Sequence, residues 1–542
     1  MTSRTPEEAR KEESPAPARA RSAAGGPEPG VVYLVGAGPG DPGLLTRRGA
    51  ELLGRADAVV HDHLAAPELL SLAPPGSKKI YVGKTGSRHT LKQDDINRLL
   101  VEEALAGRTV VRLKGGDPYV FGRGAEEALE LRRRGIRFEV VPGVTSAAAA
   151  AACAGIPLTH RDLASQVVLI TGREKPGKSS SSHDWAALAK MGTLAAVMGA
   201  ENLPEIAGNL IAAGKDPGTP AALVQWGTTA RQRTARASLG DLPGLVKKLG
   251  LGPPALLVVG EVAGLGRELD WFEERPLFGK TVLVTRTAGQ AGKLSARLAE
   301  LGARVLGRPA VEIVPITPNP ELAEAVKNLR AFKHLVLTSP NGAGIFMESV
   351  LAAGLDARAL FGVRIAVIGP GTDARLRPFG LKADVVPPEF IAESLLASLS
   401  REKPGPLLLA RAEEARDVLP RGLADLGFRV TTVPLYRTRD AVWPDFPAAA
   451  DQPPGGEPDP GTEAGVGDFL AGIDLATLTS ASTARGLAAH IPENLRGLVK
   501  AVSIGPVTTR EARALGLNVV AEARQATVEH LAEAAASLFP RT

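Results

Sequence analysis

Three short loops in the first third of the chain combine residues suited to holding a ligand against the main chain. Gly36-Ala-Gly-Pro-Gly-Asp41, Lys114-Gly-Gly-Asp-Pro118 and Pro142-Gly-Val-Thr-Ser146 each follow an apolar run. Glycine lets a ligand approach closely, so peptide N–H and C=O groups contact it. An Asp beside such glycines accepts hydrogen bonds from a ribose or an amine. The first loop shares its opening with a dinucleotide fingerprint, but Pro39 and Asp41 stand where x-x-Gly is needed. The last third carries a different set, used twice. His334-Leu-Val-Leu-Thr-Ser-Pro-Asn341 is echoed by Leu475-Ala-Thr-Leu-Thr-Ser-Ala-Ser482, and Ile368-Gly-Pro-Gly-Thr372 by Ile504-Gly-Pro-Val-Thr508. Gly, Ser and Thr placed directly after apolar runs are how α/β domains line a crevice at the carboxyl ends of parallel strands.

Strands and helices must alternate to carry these loops. Residues 31–35 read as a strand and 46–53 as a helix. A second strand over 58–60 ends at His61-Asp62-His63, and a third over 78–82 ends at Gly83-Lys84. An amphipathic helix over 93–106 is closed by Gly107. Strands over 109–113 and 138–141 follow, and the alternation predicts a mostly parallel sheet. A second α/β block starts near 143, with strands over 167–171, 192–198, 219–226 and 255–259 and a mobile, Ser-rich loop over 174–183. A linker over 273–278 leads to a third block that opens with Lys280-Thr-Val-Leu-Val-Thr-Arg286. Residues 442–468 are too rich in Pro, Gly and Asp for a core and read as a disordered insertion.

Composition narrows the class. At 542 residues the chain is long enough for three or four domains of roughly 150 residues each. Its 44% hydrophobic and 23% charged residues are ordinary globular values, and a net charge of +5 does not imply nucleic-acid binding. The single cysteine, Cys153, lies in an Ala run and has no partner within the chain, which points to a reducing compartment and a cytoplasmic location. Eight His and one Cys show no zinc spacing, so no metal site is expected. Residues 1–30 have no apolar core of a signal peptide and read as a disordered tail, and the absence of a run of about twenty apolar residues predicts no membrane span.

The glycine loops sit in longer phrases. Gly36 to Thr46, Val111-Arg-Leu-Lys-Gly-Gly-Asp-Pro-Tyr-Val-Phe-Gly-Arg-Gly124, Val141-Pro-Gly-Val-Thr-Ser-Ala147, Gly155-Ile-Pro-Leu-Thr-His-Arg161 and Val224-Gln-Trp-Gly-Thr228 strongly resemble the uroporphyrinogen-III C-methyltransferases of the tetrapyrrole methylase family. The resemblance runs from residue 31 to about 272. It implies two α/β lobes (31–143 and 144–272), S-adenosylmethionine in the cleft between them, and a homodimer formed through this half. By motif match it puts cofactor contacts on Pro39, Gly115, Gly116, Asp117, Val120, Thr145, Ser146, Met198, Gly227 and Ala255, and an acid/base pair on Asp62 and Lys84. His61 replaces the family's Tyr beside the Asp, and Thr171-Gly-Arg173 replaces Thr-Gly-His. A polycarboxylate macrocycle suits clamping by basic side chains, for which Arg112, Arg123 and Arg161 are candidates. Asp62 also suits capping of a following helix.

From residue 279 the chain resembles uroporphyrinogen-III synthase, on Val282-Leu-Val-Thr-Arg286, Thr338-Ser-Pro-Asn-Gly342, the two Gly-Pro-x-Thr turns, Pro434-Leu-Tyr-Arg437 and Thr479-Ser-Ala-Ser-Thr483. That family's doubly wound, two-lobed fold would combine 279–315 with 437–542 in one lobe and put 316–436 in the other. It uses no cofactor. Arg286, Ser339, Asn341, Thr372, Ser480, Ser482, Thr483 and Thr508 are the expected substrate-binding residues, and Tyr436 matches the family's proton donor. Helix N-capping is a competing or concurrent role for the Ser and Thr residues. Together the two resemblances imply one α/β enzyme of sirohaem or cobalamin synthesis, acting on small tetrapyrroles without nucleic-acid or membrane partners. It would cyclise hydroxymethylbilane to uroporphyrinogen III and methylate that product twice to precorrin-2. The alternative is another tetrapyrrole methylase fused to a non-catalytic, synthase-like binding module.

Overall fold

The computed structural model describes residues 29–63, 66–83, 91–173, 182–286, 288–415, 417–441, 443 and 463–540. The chain divides into two compact units between Glu274 and Arg275, each built of two α/β lobes.

In the first unit, β1 (Val31–Gly36), β2 (Ala58–His61), β3 (Lys78–Tyr81), β4 (Thr109–Lys114) and β5 (Arg137–Val141) form a wholly parallel sheet in the order β3-β2-β4-β1-β5. Helices cover both faces, which is why its central strands are near-continuous Val and Leu. The order sets β4, β1 and β5 side by side, so the three glycine loops leave the sheet from adjacent strand ends. There they close on one another. Gly116 N donates to Gly38 O at 2.7 Å and Gly38 N to Gly116 O at 3.3 Å. A Cβ on Gly143 would fall 2.2 Å from Gly116 O and 2.6 Å from Gly36 Cα.

The second lobe contains β6 (Val167–Thr171), β7 (Thr193–Val197), β8 (Pro220–Gln225), β9 (Arg233–Ser238) and β10 (Ala255–Val259), in the order β6-β7-β10-β8-β9. It is mixed: β10 runs antiparallel to both β7 and β8, and β9 antiparallel to β8. The strand β9 was not expected, since the edge sequence Arg-Thr-Ala-Arg-Ala-Ser has no apolar run to announce it. The Ala-rich helix Ser146–Cys153 packs its Ala147, Ala150 and Ala151 against Ala195, Val197, Ala222 and Val224, so the third glycine loop is also where the chain enters this lobe.

In the second unit, β11 (Thr281–Val284), β12 (Arg304–Gly307), β18 (Leu475–Leu478), β19 (Lys500–Ser503) and β20 (Asn518–Glu522) make a parallel sheet ordered β12-β11-β18-β19-β20. The other sheet, β13-β17-β16-β14-β15, holds β13 (Val311–Pro315), β14 (His334–Leu337), β15 (Arg364–Val367), β16 (Pro406–Ala412) and β17 (Arg429–Asp440). The repeated phrases are one β-α-β-α unit in each lobe. β14, helix Pro340–Ala352, β15 and helix Pro370–Leu376 correspond to β18, helix Ala481–Ala489, β19 and helix Pro506–Ala514.

Several expected boundaries move. β13 pairs antiparallel with β17 from Val311↔Asp440 to Pro315↔Tyr436, so 311–315 and 437–440 belong to the lobe of residues 316–436 rather than to the other. The chain crosses between lobes at 308–310 and after Asp440. The expected insertion over 442–468 is shorter at its end: helix Glu463–Ala471 buries Val466 and Leu470 in the core of β11 and β18, an apolar spacing that the flanking Pro and Gly concealed. Trp443 also stacks on His490 at 4.4 Å, and its Nε1 donates to Pro309 O at 2.6 Å. Residues 442 and 444–462 lie outside the described residues, as do 174–181 of the expected mobile loop and 1–28 of the expected tail. Within the expected linker, Glu273 accepts from Gln232 Nε2 at 3.0 Å and Leu277 is fully buried.

His334, at the start of β14, is 5% exposed and lies edge-on to Phe428 at 5.1 Å, with no hydrogen-bond partner on Nδ1 among the described residues. Burial holds its pKa below the ordinary imidazole value, with Arg364 adding and Glu402 opposing. The unfolded chain therefore takes up this proton first, and stability is lost as pH falls below about 6.5. Thermal unfolding between pH 7.5 and 5 is expected to show a falling midpoint for the second unit that flattens in His334→Leu; parallel curves for the two proteins would refute this. In the first unit, Gly143→Ala is expected to destabilise by about 1–3 kcal/mol through overpacking against Gly116 and Gly36, measurable as a lower urea midpoint; an unchanged midpoint would show that the three loops can part freely.

Candidate functional site

The methylase-like unit gathers its expected residues at the glycine loops. Asp117 organises them: Oδ1 accepts from Tyr119 N at 2.7 Å and Val120 N at 3.0 Å, and Oδ2 from Gly143 N at 2.9 Å. One carboxylate thus ties the loop after β4 to the loop after β5, and a ribose would share oxygens already in use. Gly116 has φ +69°, and the place of its missing Cβ is bordered only by Ser146 N at 3.9 Å and Thr145 Cα at 4.0 Å. Gly115, Gly116, Asp117, Thr145 and Ser146 are therefore neighbours, with Thr145 as N-cap of helix Ser146–Cys153. Pro39 sits in the loop after β1, whose Asp41 N donates to Thr228 Oγ1 of the second lobe at 3.2 Å. That bond joins the Pro39 loop to the Gly227 loop.

Among the described residues, the non-glycine residues with left-handed backbone all lie in this unit: Phe121, Arg123, Met198, Trp226 and Thr228. Each costs conformational energy that side-chain packing must offset, and such residues cluster at ligand sites. Met198 directly follows β7 and is 47% exposed, while Val120 is 37% exposed. Thr228 is 3% exposed and is held by Gln232, whose Oε1 accepts from Thr228 N at 3.0 Å. Ala255 begins β10 rather than ending it. Because β10 is antiparallel to β8, Ala255 pairs with Gln225 at the carboxyl end of β8, next to Gly227.

The basic candidates separate. Arg112 is 3% exposed, which differs from the expected carboxylate clamp: Nε donates to Glu127 at 3.2 Å, Nη2 to Asp62 at 3.4 Å, and Nη1 to the carbonyls of Leu113 at 3.1 Å and Val60 at 3.4 Å. β4 is central and covered on both faces, so a long side chain there is confined beneath the strand ends. Arg123 is exposed and pairs in bidentate fashion with Glu126 at 2.8 and 2.7 Å. Arg161 is exposed. Asp62 directly follows β2, beside Arg112, and Lys84 lies outside the described residues. His61 lies edge-on to Tyr81 at 5.4 Å, and burial lowers its pKa against the opposing pull of Asp62. Glu127 and Lys114, both buried at this cluster, were missed; the signal available was a charged pair, Arg112 and Lys114, on a strand otherwise apolar.

In the second unit Tyr436 and Ser339 meet. Their hydroxyl oxygens are 2.8 Å apart, and Tyr436 is 6% exposed. A bulge produces the contact. β17 slips against β16 between Arg411↔Pro434 and Ala412↔Tyr436, leaving Leu435 extra, so Val433, Leu435 and Tyr436 all join one core. Burial raises the Tyr436 pKa, against the bond to Ser339. Ser339 caps helix Pro340–Ala352 through Gly342 N at 3.0 Å, and Asn341 lies in its first turn. In the other lobe Ser480 caps helix Ala481–Ala489 and lies 2.9 Å from Ser482 Oγ. Thr483, 3% exposed, is spent on that cap, donating to Ser480 O at 2.7 Å. Thr372 and Thr508 are 2% and 4% exposed and face the core, so the ligand groups at their turns are backbone N–H rather than hydroxyl. Arg286 follows β11 half-buried, its pKa lowered by burial.

Comparison with known proteins agrees with this division. Residues 31–243 match the family described as Tetrapyrrole (Corrin/Porphyrin) Methylases, and residues 292–533 match Uroporphyrinogen-III synthase HemD. A porphyrin biosynthesis protein HemD of Ruminiclostridium josui is 38% identical over 93% of this chain and 97% of its own length. The uroporphyrinogen-III C-methyltransferase of Bacillus subtilis is 42% identical over 61% of this chain and 68% of that protein. The siroheme synthase of Chromobacterium violaceum is 51% identical over 46% of the chain, which spans about half (54%) of that enzyme. Among solved structures, uroporphyrin-III C-methyl transferase from Thermus thermophilus, complexed with S-adenyl homocysteine, is 43% identical over 44% of this chain and 100% of its own, with a TM-score of 0.39. Two collinear family matches, and a relative that shares both along nearly its whole length, make this chain a member of the fused proteins in which a tetrapyrrole methylase is followed by a uroporphyrinogen-III synthase.

Proposed function

We propose that the second unit closes hydroxymethylbilane to uroporphyrinogen III, and that the first unit methylates that product at two carbons to give precorrin-2, using S-adenosylmethionine. The observation that carries the reading is the meeting of three backbone-exposing loops, two tied by Asp117 and the third by the Gly38–Gly116 bonds, with a carboxylate, Asp62, at the adjacent strand end. The open backbone over Gly116, bordered by Thr145 and Ser146, fits an extended donor carrying an amine, a carboxylate and a ribose. Pro39, Gly115, Val120, Met198, Gly227 and Ala255 complete that cradle. When bound there, the sulfonium supplies an already activated methyl group. The chain's part is to align and shield it. As the new C–CH3 bond forms and the S–CH3 bond breaks, positive charge passes to the macrocycle, and Asp62 receives the proton whose loss relieves it. Arg123 and Arg161 are exposed and suit the substrate's carboxylates, and Lys84 is proposed on chemistry alone as the acid/base partner of Asp62.

In the synthase unit the raised Tyr436 pKa keeps the phenol protonated near neutrality. It donates that proton to the departing hydroxyl, which leaves as water with the C–O electron pair, and Ser339 holds the phenol in line. Helix N-termini at Ser339, Pro370, Ser480 and Pro506 suit the carboxylates of the curled chain, with Arg286 as a fixed cation. The reading includes a homodimer through the methylase unit and work in the cytoplasm. Its support is a lone, buried Cys153 and, among the described residues, no helix long and apolar enough to cross a membrane.

Hydroxymethylbilane supplied with S-adenosylmethionine labelled in the methyl group is expected to yield a tetrapyrrole carrying two labels, and uroporphyrinogen III when the donor is omitted. A label that never reaches a tetrapyrrole, or a macrocycle without ring inversion, would sink the proposal. Tyr436→Phe is expected to slow cyclisation by about 10²-fold while methylation of supplied uroporphyrinogen III continues at the parent rate; undiminished cyclisation would remove Tyr436 from the mechanism.

A further inference from the structure

Helix Gly124–Arg133 carries two successive glutamates with opposite fates. Glu126 faces solvent and pairs with Arg123. Glu127 is 0% exposed. Its Oε1 accepts from Lys114 Nζ at 2.9 Å, Arg112 Nε at 3.2 Å and Gln93 Nε2 at 3.2 Å, whereas Oε2 has no hydrogen-bond partner among the described residues. Arg112 continues the chain of charges to Asp62, whose side chain is 27% exposed. A single guanidinium is thus held between a fully buried carboxylate and one that reaches the strand-end surface.

Among the described residues the charges around this cluster are few. β2 contributes His61 and, directly after it, Asp62, β3 contributes Tyr81 beside Asp62, β4 contributes Arg112 and Lys114, helix Gln93–Leu105 contributes the neutral Gln93 with Asp94 beyond it, and the glutamate's own helix has Arg123 and Glu126 at its start. Arg112 and Lys114 stand against Glu127 and Asp62. A cluster built for stability alone would satisfy every buried oxygen, because an unbonded one is costly. This one leaves Oε2 without a partner among the described residues and instead crowds three donors on Oε1, one of them the arginine that touches Asp62.

We propose that Glu127 is a positioning residue for methyl transfer: it fixes Arg112, the guanidinium that touches Asp62, and offsets the charge of Lys114, so that Asp62 serves as the proton acceptor. This rests on the reading of Asp62 as the proton acceptor. Removing the negative charge at 127 exposes Asp62 to both cations; removing the positive charge at 114 does the reverse. The two neutral variants must therefore move the acid limb of methylation in opposite directions, which loss of packing would not do.

The test uses the full chain, with uroporphyrinogen III supplied directly and kcat/KM for methylation followed from pH 5 to 9. Glu127→Gln is expected to shift the acid limb down by about one pH unit and Lys114→Met to shift it up by a similar amount, with donor affinity by calorimetry and cyclisation by the second unit unchanged as controls for folding. His61→Gln, run alongside, is expected to retain the parent limb; loss of the limb in that variant would assign it to the imidazole and overturn the proposal. Limbs that stay in place in folded Glu127→Gln and Lys114→Met overturn it too. If Glu127→Gln does not fold, Lys114→Met alone decides by the direction of its shift. Asp62→Asn separates the two levels: parent activity and an intact limb there would overturn the assignment of Asp62 itself, whereas a lost limb with unmoved Glu127 and Lys114 variants would overturn only the role of Glu127.

Discussion

Main chain packed against main chain at the ends of β4, β1 and β5 is the constraint from which the methylase unit is built. Gly36, Gly116 and Gly143 approach so closely that any side chain on the first or third would penetrate a neighbouring backbone. Removing side chains there leaves peptide groups uncovered, and the Asp117 carboxylate together with the Gly38–Gly116 backbone bonds keeps the loops from parting. The sheet order makes this possible, since only adjacent parallel strands deliver three loops to one place. The loop after β5 does a second job, passing the chain to an Ala-rich helix that packs on the other sheet. The site and the junction between lobes therefore rest on the same few residues.

Charge enters this unit where a fold would ordinarily exclude it. β4 is central, and its Val110, Val111 and Leu113 are fully buried, yet Arg112 and Lys114 interrupt the run. Two cations beneath a sheet are expensive to desolvate, and replacing such groups by apolar ones is often neutral or stabilising. Their retention at the strand that also carries the Gly115–Asp117 loop marks a conflict between local rules and the fold, and such conflicts collect at functional sites.

The loops and the repeats were legible because each is a local phrase: glycine spacing, Ser or Thr after an apolar run, Gly-Pro-x-Thr at a helix start. What was not legible depends on partners distant in sequence. Glu126 and Glu127 are alike as letters, and only the packing of their helix on β4 sends one to solvent and the other to Arg112. Arg112 and Arg123 were equally plausible clamps for the same reason. β9 carries no apolar signal because it is an edge, and β13 joins the lobe beyond the expected boundary because its partner, β17, returns from more than a hundred residues later. Helix Glu463–Ala471 was hidden by the Pro- and Gly-rich stretch before it.

The synthase unit meets the same need by another route. Its crevices are edged with helix starts rather than bare glycine loops, and most of the hydroxyls there serve the helix first: Ser339 and Ser480 as caps, Thr483 as the cap's return bond, Thr372 and Thr508 turned inward. What remains for a ligand is the backbone N–H groups that such helices leave unpaired in their first turn. A proton donor cannot come from that arrangement, because capped serines have pKa values far too high and their geometry is fixed by the cap. It has to be added from a strand, and β17 is the suitable one. It is twelve residues long, pairs with β16 along one part and β13 along another, and changes register at Leu435. A regular strand would alternate Leu435 and Tyr436 to opposite faces. The extra residue turns both to the face where Ser339 waits, so the register slip that the lobe crossing requires also brings the phenol to the helix start.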